Sequence, residues 1–321
     1  MAKFLQTSLA FTAGLLCVLI GTDRFLGRRM ASGWGRASVA PEVYLSVAHA
    51  GQFSTRVRAL YLGDSVAHQM FPPFGEPDRD ERYLANNQAI SLAGQYFLLA
   101  DALKHCPNAR DAYLIYYPGS FENDLGPPLA NDYFCGFFHK PAQIRDVFEA
   151  THDVRLSAVQ IGRLLLPHIL EANSNNRPME IWSPVGGGGG IAGEGLGPEP
   201  VLMLINRFTG GARGPTPPPL PTDAQGRRPV MLSDVSRYFL PKMRDLCRAR
   251  GVRLHVLPCP CSDAIPFIDH LGVYDRPFLY EPHQEFVDWI HFFRRYVDPV
   301  RRRMIAAYGL PDDSQQGTSH N

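Results

Sequence analysis

The stretch Ala59-Leu60-Tyr61-Leu62-Gly63-Asp64-Ser65-Val66 decides the fold. Its apolar half is a short continuous run that stops at a Gly-Asp-Ser turn, the pattern of a strand buried on both faces. Such strands belong to parallel sheets covered by helices on each side. Open sheets of that kind collect ligands at the carboxyl ends of their strands, where amides of the next helix face developing negative charge. Ser65 therefore stands where a nucleophile is useful. A serine hydroxyl is weak alone; it needs a base to take its proton and donors for the oxyanion it creates. The same three residues also make an ordinary turn, with Asp64 bonding its own backbone and Ser65 capping a helix, so the partners must come from elsewhere.

Candidate partners lie in three further places. Near the end runs Phe286-Val287-Asp288-Trp289-Ile290-His291-Phe292, an Asp-x-x-His pair in which the carboxylate can orient the imidazole across one turn. His291 then serves as base for Ser65 and Asp288 fixes its tautomer. The sequence predicts a helix from Asp298 to Tyr308 behind this pair, with Asp298 as N-cap and Pro299 at the first position. A second buried-strand run, Arg110 to Tyr117, empties into Pro118-Gly119-Ser120-Phe121-Glu122-Asn123-Asp124, where Asn123 can donate its amide to an oxyanion. Earlier in the chain, Asn87 to Gln95 leads into the helical pattern Tyr96 to His105, and Gly94 there lets a backbone N–H approach a ligand closely. Asn123 can equally be a turn residue, and Gly94 can simply relieve helix packing. His68 is a competing base, expected to point away from the hydroxyl on the helix that Ser65 opens, and Asp64 reads as structural.

Taken in order, the Gly-Asp-Ser block, the glycine block, the asparagine block and the late Asp-x-x-His resemble the SGNH (GDSL-type) hydrolase superfamily over roughly residues 57 to 308. The middle blocks depart from the family pattern. Leu92 and Ala93 separate Ser91 from Gly94, where the family has Ser and Gly adjacent, and three residues separate Gly119 from Asn123, where the family has one. The resemblance implies an α/β fold: a three-layer α/β/α sandwich with a mainly parallel sheet. It also implies Ser65 as nucleophile, Gly94 and Asn123 as oxyanion donors, Asp288 and His291 as the rest of a triad, and chemistry without a cofactor. The activity implied is that of a serine-dependent acyl-ester hydrolase or O-acyltransferase, depending on whether water or a sugar hydroxyl resolves the acyl-enzyme. Similarity to membrane-anchored envelope members, such as the alginate O-acetylation proteins, implies an acylated envelope carbohydrate or similar ester as substrate and polysaccharide-modification proteins as partners. A non-catalytic envelope polymer-binding or assembly protein is the alternative from another class.

Organisation follows from punctuation. Residues 1–21 read as a membrane anchor, because Phe4 to Gly21 carries no charge and has about the length of a bilayer core. A single transmembrane helix is thus expected ahead of the domain. Lys3 precedes the run and Arg24, Arg28 and Arg29 follow it, which by loop charge alone favours the cytoplasmic side; the resemblance instead places the domain outside the cytoplasm. Residues 22–56 read as a linker, 57–310 as the catalytic domain and 311–321 as a disordered tail. Within the domain, strands are expected near 58–63, 82–89, 110–117 and 252–258, and helices at 142–150, 153–172 and 233–250. The Gly- and Pro-rich stretch 173–228 reads as an insertion that shapes substrate access.

The 321 residues, 45% hydrophobic with a formal net charge of +1, can bury one full core, and the near-neutral balance argues against nucleic acid. Six cysteines leave the disulfide pairing open. Cys259-Pro260-Cys261 lacks the spacer of a zinc or redox pair, so no metal is expected.

Overall fold

The structure, a computed structural model, describes residues 8–21, 41–72, 80–126, 133–165, 222–288 and 290–311. The buried runs form the strands Ala59–Gly63 (β1), Glu81–Tyr83 (β2), Asp111–Tyr116 (β3) and Arg253–Pro258 (β5), which pair in parallel in the order β2-β1-β3-β5. Two short parallel pairs accompany them: Arg228–Pro229 (β4) with Phe267–Ile268 (β7), and Cys261–Ser262 (β6) with Tyr280–Glu281 (β8). The helices are 8–21 (α1), Pro41–Ala50 (α2), Ser65–Met70 (α3), Ser91–His105 (α4), Pro141–Thr151 (α5), Val154–Leu165 (α6), Asp234–Ala249 (α7) and Arg294–Tyr308 (α8).

Side-chain alternation along the strands divides the core in two. Leu60, Leu62, Ala112, Leu114, Tyr116 and Val256 face a cluster built with α2, α4, α5 and α7. Ala59, Tyr61, Tyr113, Ile115 and Leu257 face a second cluster built with α3 and α8. A mainly parallel sheet with helices on both faces is therefore what the chain forms. From β1 the chain steps outward to β2, and from β3 it steps the other way to β5. The strand order thus reverses between β1 and β3, and the crevice such a switch opens lies at their carboxyl ends. Ser65 follows β1 and the Ser120–Asn123 loop follows β3, so both candidate segments converge there.

Several elements differ from the sequence reading. Residues 41–50, read as linker, form α2, because Val43, Ser46, Val47 and Ala50 make one face and pack toward α4. The expected strand 82–89 ends at Tyr83: the backbone amides of Leu84 and Asn86 still donate to the Tyr61 and Gly63 carbonyls, but the Asn86 side-chain Nδ2 takes the Leu84 carbonyl, Gln95 takes the Gly63 amide, and Asn87 Oδ1 accepts from the Ala89 amide to start a turn. The last helix begins at Arg294 with Phe293 as its N-cap, and Pro299 lies inside it instead of at its first position. An internal proline removes one helical hydrogen bond at a cost of about 3 kcal/mol. Tyr296 and Val297, packed against the second cluster, hold the preceding turn in place.

All six cysteines are free, Cys17 exposed and the other five buried. Among the described residues no helix is long and apolar enough to cross a membrane; α1 covers only part of the expected anchor, whose residues 1–7 lie outside them. Most of the insertion 173–228 and of the tail also lies outside the described residues.

Candidate active site

The Gly63-Asp64-Ser65 turn is built by the sheet. Gly63 ends β1 where a Cβ would stand 2.2 Å from the Ile115 carbonyl oxygen and 2.3 Å from Ala67 Cβ, so only glycine lets β3 and α3 approach together. Asp64 caps α3: its Oδ1 accepts from the amides of Val66 at 3.0 Å and Ala67 at 3.4 Å. Ser65 is then the first helical residue, with its amide among those a helix leaves unsatisfied.

His291 arrives from 226 residues away, its Nε2 2.8 Å from Ser65 Oγ. Its Nδ1 lies 2.8 Å from Asp288 Oδ2. A carboxylate only accepts, so Nδ1 carries the hydrogen and Nε2 presents its lone pair to the serine hydroxyl. Asp288 is itself held, because its Oδ1 accepts from the amides of Ile290 at 2.7 Å and His291 at 2.6 Å. The segment is a closed hairpin and not a helical turn. Phe286 and Phe292 form an antiparallel bridge with rings 4.3 Å apart, and the Val287 amide donates to the His291 carbonyl.

Burial opposes charge on both members of the pair, and their mutual hydrogen bond and attraction outweigh it. The proton affinity of His291 is raised above the ordinary 6.5, with Asp64 adding a smaller push in the same direction. The same contacts hold the Asp288 carboxyl below its usual 3.8. Asp64, fully buried, is driven upward by desolvation against the hydrogen bonds from Ser120, Tyr117, Ala67 and Val66. His68 turns Nδ1 to the Ala85 carbonyl oxygen at 2.9 Å, away from a role as base.

The remaining two candidates are placed differently from each other. Asn123 Oδ1 accepts from the Leu125 amide at 2.9 Å, which fixes the flip of its amide, and Nδ2 donates to the Gln88 carbonyl oxygen at 2.6 Å. One Nδ2 hydrogen is left for a ligand. Gly94 lies in the first turn of α4, where a Cβ would stand 2.6 Å from Ile90 Cβ, a close-packing position.

Three residues that the sequence reading passed over complete the site's frame. Gln69, one turn after Ser65 on the same helix face, accepts from the Phe292 amide at 3.1 Å and clamps the histidine hairpin to the nucleophile helix. Gln95 pairs its amide with both backbone groups of Gly63. Ser120 donates to Asp64 Oδ2 at 2.7 Å. Only the four-residue spacing of Gln69 from Ser65 carried a sequence signal.

The chain matches no protein-family model, no curated protein and no solved structure.

Proposed function

We propose that this protein is a serine-dependent acyl-ester enzyme of SGNH type, with Ser65 as nucleophile, His291 as general base and acid, and Asp288 as orienter. The observation that carries the reading is the unbroken chain from Ser65 Oγ to His291 Nε2 and from His291 Nδ1 to Asp288, at 2.8 Å for each step. Ser65 Oγ attacks the acyl carbonyl as its proton passes to Nε2, and Asp288 stabilises the imidazolium. The oxyanion is met by the Ser65 amide and the remaining Asn123 Nδ2 hydrogen. Collapse returns the proton to the departing alkoxide and leaves an acyl-serine, which water or a sugar hydroxyl then resolves by the same steps in reverse.

The substrate class is an acylated envelope carbohydrate or a similar ester, and the chain acts as a membrane-anchored protein outside the cytoplasm, alongside polysaccharide-modifying partners. The charge-free run Phe4 to Gly21 and the exposure of Leu9, Phe11 and Val18 on α1 support the anchor. The order of the four sequence blocks supports the envelope assignment.

The test is labelling by a serine-directed fluorophosphonate together with p-nitrophenyl acetate turnover, in wild type, Ser65→Ala and His291→Ala. Labelling absent from Ser65→Ala, with turnover lost in both variants, is expected. A folded wild type that neither labels nor turns over would leave a polymer-binding role as the better reading.

A further inference from the structure

Asp64 is the residue of the site whose chemistry is least explained by a turn. Its side chain is wholly buried, yet it carries a carboxylate between two segments of the fold. Oδ1 takes the α3 amides of Val66 and Ala67, and the Cys259 thiol lies 3.7 Å from it. Oδ2 takes the Tyr117 amide and the Ser120 hydroxyl, each at 2.7 Å. Three backbone amides and the Ser120 hydroxyl thus tie both oxygens, against a burial that drives the proton affinity of the group upward. A plain N-cap is served by Asp, Asn, Ser or Thr alike and needs neither full burial nor a second oxygen tied to the loop after another strand, as Oδ2 is here to the loop after β3.

We propose that Asp64 is the positioning residue of this site: its buried carboxyl group locks the Ser65 turn to the loop bearing Ser120 and Asn123 and so sets the hydroxyl against the oxyanion donor. The inference rests on the triad reading above and deepens it. Asp64 touches no substrate atom; it acts through Ser65 and Ser120.

The test compares Asp64→Asn with Ser120→Ala in the full chain. Each is followed by fluorophosphonate labelling, by the pH profile of kcat/KM for p-nitrophenyl acetate, and by thermal melting. Asp64→Asn keeps the size of the side chain and puts an amide nitrogen where an oxygen now accepts. Its kcat is expected to be about ten-fold lower with KM little changed, and its acid limb, which His291 and Asp288 set, to stay in place. Ser120→Ala removes one tie of the lock, and kcat is expected to fall in the same direction with KM little changed. A folded Asp64→Asn with kcat within two-fold of wild type overturns the lock. Should that variant not fold, a Ser120→Ala rate within two-fold of wild type overturns the lock. Failure of labelling in wild type itself would instead remove the triad reading, a result distinct from either.

Discussion

At the scale of single residues the site is a problem of proton placement. In the proposed mechanism His291 works as a base only while neutral, and Asp288, outweighing burial, raises its proton affinity above 6.5. The activity profile is therefore expected to rise with pH through a midpoint above that value, with the loss on the acid side as the imidazole protonates. Asp288→Asn removes the charge and the hydrogen bond that produce the raise, so its acid limb should move to lower pH. The rate should fall by about 10²- to 10⁴-fold, because the tautomer is no longer enforced. Asp288 itself is held below 3.8 and stays charged across the measured range. A variant whose limb stays in place, measured as kcat/KM from pH 5 to 9, would detach Asp288 from His291. These residues were legible in the sequence because their chemistry is local: Asp64 and Ser65 are neighbours, and Asp288 and His291 are three apart. Gln95 and Ser120 were not, since a buried amide or hydroxyl that meets a backbone group or carboxylate across the fold leaves no spacing to read.

Among elements, the junction of β1 with α3 carries most of the constraint. Gly63 has the Ile115 carbonyl oxygen and Ala67 Cβ against it, and neither belongs to a flexible side chain that can swing aside. Gly63→Ala is expected to cost about 1–3 kcal/mol of stability through forced backbone shifts, read as a lowered melting temperature and denaturant midpoint. Gly94→Ala, which meets Ile90 Cβ in α4, should behave in the same way and lower stability more than kcat. A Gly94→Ala variant of normal stability with kcat reduced a hundred-fold would restore its amide to the oxyanion site. Gln69→Ala tests the clamp on the hairpin: it should weaken kcat while leaving the fold intact, as Gln69 bonds the amide and carbonyl of Phe292 in the hairpin's own backbone and not a core side chain among the described residues. The strands β1, β3 and β5 were legible because apolar runs between helical segments have one reading. The start of α8 was not. Proline is free of cost at a helix start, so Pro299 reads as a beginning, whereas packing of Tyr296 and Val297 sets the true one five residues earlier.

Across the whole molecule, the question is how a domain with its own core and its own site relates to the apolar segment at the start of the chain. The two hydrophobic clusters draw on the described helices from α2 to α8 and take nothing from α1. Leu9, Phe11 and Val18 on α1 are 64%, 73% and 65% exposed, an arrangement that water penalises along the whole helix. Burial in a bilayer removes that penalty, and the charge-free run Phe4 to Gly21 has about the length of a bilayer core in sequence. The full chain is therefore expected to sediment with neutral phosphatidylcholine vesicles at high salt, where electrostatic attachment is screened. A chain beginning at residue 22 should remain in the supernatant with its melting temperature and the proposed esterase activity unchanged, because the core and the proposed triad lie wholly beyond that point. If the shortened chain still bound vesicles, the attachment would belong to the domain surface. If it lost its melting transition, α1 would be a packing element of the domain, and its exposed apolar side chains would mark a face covered by protein and not by lipid.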